Sequence, residues 1–496
     1  MVYRGKPSPG CALCRKRRLK CDRRQPSCSQ CSRMKKECPG YQDPRALRIY
    51  DQTTAVTAKA LARAAATRKA AQPPTAESSK TPPLIYLSTP IQEQAMSHIF
   101  KYYVGTSQNR GVLPYLTNLL NTDPSGALQA TVKAVGLACM SRIHHLPELR
   151  RLAAEEYSKA LRATNTNLQD AVSATSDSTL GAVVTLSLYE IISGHKSQMM
   201  DAWLNHAQGA IKLLELRGVQ QFDSPTGLGL FNSARLQIAM MNIFFRTNCY
   251  SSPTITALSN HARTLFDTNS QVFDDFYNIL IMFNDLSIRI KEAYKNDGFR
   301  GNIAPLIRQA LRLDADLVSW ASSLGRAWQF TVASHSPSSS SGGIPVCSYD
   351  EAYHVYPGIN VAVLWNHYRQ ARIVLHEMIR TMCLGASERQ AMPESQQIML
   401  KSSTINKQLV KDVCASVPHF FTSGEAGFGG VARLPWPLFV AADCTDISPH
   451  TKNWIAQILD IIATSAGVQQ ARILSHLIKE GRHGFDLIPG KCKRVS

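Results

Sequence analysis

The sequence predicts an all-α protein: a small cysteine-rich N-terminal domain, a flexible linker and a large helical domain. Three observations carry this. Apolar residues past residue 91 recur mainly with helical spacing, strand-like alternation is scarce, and six of the 13 cysteines crowd into the first 38 residues.

Those six are Cys11, Cys14, Cys21, Cys28, Cys31 and Cys38, spaced C-x2-C-x6-C-x6-C-x2-C-x6-C. Each half has the layout C-x2-C-x6-C, and a six-residue loop containing Pro26 joins them. A structural zinc takes four ligands in a tetrahedron, so one zinc would leave two of these thiols idle. Two zincs need eight metal–sulfur bonds from six sulfurs, so two thiolates must bridge. The spacing therefore predicts a binuclear zinc–thiolate cluster with two Zn2+ ions. The rivals are a disulfide framework, or a single zinc with two spare thiols. Disulfides call for an oxidising compartment, and the start Met1-Val-Tyr-Arg-Gly-Lys lacks the 7–15-residue apolar core of a signal peptide. The other seven cysteines (Cys139, Cys249, Cys347, Cys383, Cys414, Cys444, Cys492) show no ligand spacing and are expected to be reduced, mostly buried thiols.

Between Cys14 and Cys21 runs Arg15-Lys16-Arg17-Arg18-Leu19-Lys20. A basic run is often a solvated face or a nuclear-import signal, but this one is tied at both ends to metal ligands. Residues 1–48 hold 14 Lys/Arg against three Asp/Glu, a net +11 out of +19 for the whole chain. Charge so concentrated favours a polyanion, and the cell's commonest polyanions are nucleic acids. An acidic membrane surface fits less well, because the segment lacks an amphipathic apolar face.

The stretch Cys11-Ala-Leu-Cys14-Arg-Lys-Arg-Arg-Leu-Lys-Cys21-Asp22, with Gln25-Pro26-Ser-Cys28-Ser-Gln-Cys31 and Cys38, closely resembles the fungal Zn2Cys6 binuclear-cluster DNA-binding domain. The resemblance implies two short helices, one starting near each C-x2-C, related by a pseudo-twofold axis. It implies that Cys11 and Cys28 bridge, that Cys14 and Cys21 complete one zinc, and that Cys31 and Cys38 complete the other. It also implies a nuclear transcription regulator reading CGG-like triplets in the major groove, most commonly as an activator. Carried onto this chain, the base-reading positions are Arg17 and Arg18, where a familiar member has lysines. Arginine grips guanine O6 and N7 with two parallel bonds, so guanine preference survives. Arg15, Lys16, Lys20 and Lys36 are assigned to phosphate. Arg23 and Arg24 are peripheral electrostatic contacts.

Residues 1–44 are expected to form the DNA-binding domain and 45–90 a linker. Within the linker, Ala55 to Ala71 is helix-permissive, but its apolar side chains are too small and sparse for a heptad seam. The Pro-rich stretch Gln72 to Pro83 reads as flexible. Family members often dimerise just after the cluster, and this linker would then set the half-site spacing of a homodimer.

In the helical domain, 91–496, Trp203, Ala207, Ala210, Ile211 and Leu214 form one stripe, stopped at Gly218. Phe273, Phe276, Tyr277, Leu280 and Phe283 form another, ending at Asp297-Gly298. Further helices are expected over 125–142, 147–166, 178–193, 225–246, 303–324, 357–382 and 400–416. Residues 334–343 read as a low-complexity loop. No apolar run reaches the 18 or so residues that span a membrane, so no membrane partner is expected. The stretches 178–190, 203–214 and 435–440 resemble the helical regulatory domain that commonly follows a fungal zinc cluster. That resemblance implies control through a small molecule or a partner protein.

An enzyme is not expected. No Walker loop, dinucleotide fingerprint or nucleophile elbow appears. His376-Glu377 approaches a zinc-protease helix, but Arg380 stands where the second histidine is needed. His206, His144-His145, Met199-Met200 and Met240-Met241 read as packing or helix-surface residues. The competing function is a nuclear protein-interaction module that binds nucleic acid without sequence preference.

Overall fold

The computed structural model describes residues 10–17, 19–41, 89–105, 113, 115–121, 126–194, 199–245, 253–297, 299, 302–334, 347–387 and 394–481. The linker segments Ala55 to Ala71 and Gln72 to Pro83 lie outside them, as do Cys249, Cys492 and the methionine side chains at 199–200 and 240–241. Contacts divide the chain into two units, Met1–Tyr86 and Leu87–Ser496.

The first unit contains two short helices, α1 (Ala12–Lys16) and α2 (Ser29–Arg33), with a small cysteine-centred core. The second is helical, as the apolar periodicity predicts. In order it comprises α3 (Ile91–Ile99), which widens into a π turn (Phe100–Val104), then α4 (Leu116–Leu120), α5 (Ala127–Ile143), α6 (Pro147–Gln169), α7 (Ala171–Ala174), α8 (Asp177–Ser193), α9 (Met199–Arg217), α10 (Pro225–Phe245), α11 (Pro253–Arg263), α12 (Thr268–Asp297), α13 (Ala304–Ser323), α14 (Ile359–Ser387), α15 (Ser395–Thr422), α16 (Gly424–Gly430), α17 (Pro435–Asp443), α18 (Pro449–Ser465) and α19 (Gln469–Lys479).

Local chemistry sets the helix ends. Ser176 caps α8 by accepting from the Thr179 N–H, and Ser448 caps α18 by accepting from the Thr451 N–H. Pro147 and Pro449 open their helices, where a missing N–H costs nothing. Gly218, at φ +58°, stops α9 as expected and starts a 3-10 turn. Helix α8 is buried from Ser178 through Ile192, so it runs through the centre of the body, apolar on almost every side. The Trp203–Leu214 stripe is buried throughout. In the second stripe only Phe273 keeps appreciable exposure.

The structure adds one element that periodicity missed. Strands β1 (Thr331–Ser334) and β2 (Ala352–Val355) pair antiparallel, Thr331 opposite Val355 and Ser334 opposite Ala352. Four-residue strands flanking a Ser/Gly-rich segment are too short to show alternation. Ser334, the first residue of the expected low-complexity loop, ends β1, and residues 335–343 of that loop lie outside the described residues.

Two glycines let backbones touch. A Cβ on Gly136 of α5 would meet the Ala95 carbonyl oxygen of α3 at 2.2 Å. One on Gly429 of α16 would meet the Tyr102 carbonyl oxygen at 1.9 Å. Among the described residues, no helix is long and apolar enough to cross a membrane.

Candidate metal centre and nucleic-acid interface

The cluster repeats itself with a shift of 17 residues, the separation of Cys11 from Cys28. Each helix starts one residue after the first cysteine of a C-x2-C pair, so Cys14 and Cys31 sit at its third position. The loops leaving the helices close alike: Leu19 N–H donates to the Cys14 carbonyl at 2.9 Å, and Lys36 N–H to the Cys31 carbonyl at 3.2 Å. A cleft of about 190 Å³ between the helices is lined by Leu13 and Gln30, Cys14 and Cys31, Arg17 and Met34, Leu19 and Lys36. These are four pairs related by the same shift. The cleft lies on the pseudo-twofold axis that the resemblance implies.

The six sulfurs converge. Cys11, Cys14, Cys21 and Cys28 form one four-sulfur group and Cys11, Cys28, Cys31 and Cys38 another, with the sulfurs of each within 4.8 Å of one another. Cys11 and Cys28 belong to both. Their Sγ atoms are 3.8 Å apart, and the Cys14–Cys28 and Cys11–Cys31 separations are 3.7 Å. A disulfide bond is about 2.05 Å, so these are not disulfides. A tetrahedron with Zn–S bonds of about 2.3 Å has an S···S edge of about 3.8 Å. The donor set and its spacing fit zinc.

Electrostatics agree. Burial, followed by hydrogen bonding with the Cys11, Cys28 and Cys21 thiols, pushes the Cys14 thiol up to about 12. Hydrogen bonding with Cys28, then burial, raises Cys31 as well. Backbone amides, those of Cys28 and Gly40 first, pull the Cys38 thiol down to about 7, and the Cys11 amide heads the causes that lower Cys21. The core of the cluster resists negative charge unless a cation shares it, which is what a metal supplies.

Around the sulfurs, Lys16, Arg17, Lys20 and Lys36 are all exposed. Arg17 also donates from Nη1 to the Met34 Sδ across the pseudo-axis. Arg18 and the side chain of Arg15 lie outside the described residues. Two stabilising residues were missed in the sequence. The Asp22 carboxylate accepts from the Ser29 N–H at 3.1 Å and from its hydroxyl, tying the first half to the start of α2. The Tyr41 hydroxyl donates to the Arg24 carbonyl. An acidic residue beside Cys21 and seven residues before a helix start was the available signal for Asp22.

In the helical unit, Glu377, Arg380 and His206 are each engaged with neighbouring polar side chains. Glu377 accepts from Asn406 at 3.0 Å, from the Cys444 thiol at 3.3 Å and from the Thr445 hydroxyl, while Arg380 pairs with Asp446 at 2.5 Å. His206 lies 3.3 Å from the Tyr157 hydroxyl, which donates to Glu190 at 2.5 Å. Cys139, Cys347, Cys383, Cys414 and Cys444 are buried free thiols.

The "fungal Zn(2)-Cys(6) binuclear cluster domain" family matches residues 9–48, and the "fungal specific transcription factor domain" family matches residues 116–480. Over 42 residues the chain is 52% identical to White-opaque regulator 2 of Candida albicans, which is 8% of this chain and 9% of that protein. Over 38 residues it is 50% identical to an uncharacterized transcriptional regulatory protein of Schizosaccharomyces pombe, 8% of this chain and 7% of that one. The similarity to these curated relatives thus spans less than a tenth of their own length. No solved structure matches the chain significantly. The family match covering most of the helical unit decides the matter: the chain belongs to the fungal specific transcription factor domain family and carries, ahead of that helical domain, a match to the fungal Zn(2)-Cys(6) binuclear cluster domain.

Proposed function

We propose that this protein is a sequence-specific nuclear regulator of RNA polymerase II genes that reads CGG-like triplets through a cluster of two zinc ions. The observation that carries this reading is the pair of four-sulfur groups sharing Cys11 and Cys28, embedded in the most basic segment of the chain. Cys11 and Cys28 bridge the ions, Cys14 and Cys21 complete one, and Cys31 and Cys38 complete the other. Arg17 and Arg18 read guanine in the major groove, while Arg15, Lys16, Lys20 and Lys36 hold phosphate. Residues 1–44 form the reader and 45–90 the linker. The helical domain, 91–496, controls an activating output in response to a small molecule or a protein. The linker leaves room for a homodimer on paired triplets.

The test is selection of bound duplexes from a random pool by the full-length protein. Enrichment of a CGG-like triplet supports the reading, and any repetition, orientation and spacing of it reports monomer or dimer. Binding that falls steeply with salt and enriches no sequence would make the protein the nonspecific module instead.

A further inference from the structure

Helices α12 and α13 run antiparallel, and two contacts fix their register. The Trp320 indole N–H donates to the Val272 carbonyl at 3.2 Å, joining the start of α12 to the end of α13. Arg289 Nη1 donates to Gln309 Oε1 at 2.6 Å, joining the later part of α12 to the early part of α13. At a rise of about 1.5 Å per residue on each helix, the second contact sets Asp285 opposite Arg312 and Leu313, and Met282 opposite Asp316. Between the helices runs an open groove of about 580 Å³. Its apolar lining is Met282, Ile288 and Leu313, and its charged lining is Asp285, Arg289, Arg312 and Asp316, all four exposed.

The charges set this groove apart. Elsewhere on the same two helices carboxylates pair with guanidiniums, Asp274 with Arg235 at 2.6 Å and Asp314 with Arg372 at 2.6 Å. In the groove, Asp285 stands four residues before Arg289, and Arg312 four residues before Asp316. Opposite charges at that spacing readily meet. Yet among the described residues none of the four forms an ion pair, and the side chains of Asp285, Arg312 and Asp316 make no hydrogen bond either. The groove thus offers carboxylates and guanidiniums in equal number, unspent on one another, beside an apolar surface.

We infer that this groove binds a free amino acid with an apolar side chain. Arg312 presents parallel N–H donors to the carboxylate. Asp285, across the groove, and Asp316, one helical turn further along, accept from the ammonium. The apolar side chain covers Met282, Ile288 and Leu313, removing their surface from water. A simple anion or a simple cation would leave one sign of the lining unanswered, whereas a zwitterion answers both. The volume lies within the roughly 300–1,000 Å³ of small-molecule sites. Binding here is independent of how the N-terminal cluster reads DNA, but its use as a control signal rests on the proposed role of the helical domain.

The test uses the full-length, zinc-loaded protein, with thermal unfolding followed by helical circular dichroism. The probes are L-leucine, isocaproate (leucine without its ammonium), isoamylamine (leucine without its carboxylate) and glycine. Leucine is expected to raise the midpoint saturably, with the other three at least tenfold weaker. Arg312→Met is expected to abolish the leucine response. The double variant Asp285→Asn, Asp316→Asn is expected to bind leucine no better than isocaproate. These side chains are exposed and unpaired, so the unliganded midpoint should stay near that of the wild type. A wild type whose midpoint ignores leucine would overturn the site, as would variants that respond as the wild type does. Equal responses to leucine and isocaproate would overturn the zwitterion assignment. Self-association of the wild type that Arg312→Met abolishes would make the groove a contact between copies instead. The same samples are assayed for duplex binding and reporter output. An Arg312-dependent leucine response with unchanged output upholds the site and removes only the control role.

Discussion

The indole rings of Trp203 and Trp436 stack inside the helical body, with centroids 5.9 Å apart and planes 22° from parallel. Trp203 belongs to the buried stripe of α9, and Trp436 stands in the first turn of α17, far along the chain. Their contact joins two of the three stretches that first suggested a regulatory domain. Trp436→Ala is expected to cost about 3–5 kcal/mol in urea unfolding. Adding Trp203→Ala should cost less than the sum, by about 1 kcal/mol. Strict additivity would mean that the rings act as separate buried surfaces.

Metal removal should act on one unit only. The cluster core is four buried cysteines with Leu13 and Tyr41 beside them, too little apolar surface to hold roughly 40 residues folded. Chelation is therefore expected to abolish specific duplex binding and leave most of the far-ultraviolet helical signal intact. Specific binding in a sample verified to be metal-free would contradict this.

The two arginines after α1 should behave differently from the lysines. Arg18→Ala is expected to cost about 1–3 kcal/mol of discrimination at one guanine, and Arg17→Ala at a neighbouring base. Lys36→Ala should weaken all sequences alike and lower the salt slope by about one. A uniform loss for Arg18→Ala would make it a phosphate contact.

Acid should loosen the helical unit through Asp314. Burial raises its pKa, but contacts with His376, 3.1 Å away, and the Arg372 fork outweigh that and bring it to about 2. A carboxylate depressed in the folded state stabilises above its unfolded value and loses that contribution as pH falls through the folded value. The loss should therefore develop between about pH 4 and pH 2 and amount to roughly 2 kcal/mol. Asp314→Asn should flatten the stability profile in that window.

Gly429→Ala tests the close approach of α16 to the π turn. The new methyl would overlap a main-chain carbonyl, which cannot rotate away as a side chain would. A loss of at least about 1–3 kcal/mol is expected. Gly325→Ala, where the added Cβ meets nothing within 4 Å, is the control.

The cysteine cluster was legible because metal coordination writes itself locally, in fixed residue types at fixed spacing. The helices were legible where a stripe such as Trp203–Leu214 faces the core. What each stripe packs against was not, since the Trp203–Trp436 contact depends on the path of all the chain between them. The β1–β2 hairpin was hidden because its strands are only four residues each, and β1 is mostly exposed.

The repeat within the cluster has a consequence for direction. Its backbone returns on itself after 17 residues, but its side chains do not: Arg17 is answered by Met34, and Lys20 by Glu37. A symmetric knot could lie along a duplex either way round. This one has a head and a tail, so under the proposed function a bound site would be read as a word with a beginning, and two copies on one duplex would have to face, follow or turn from each other.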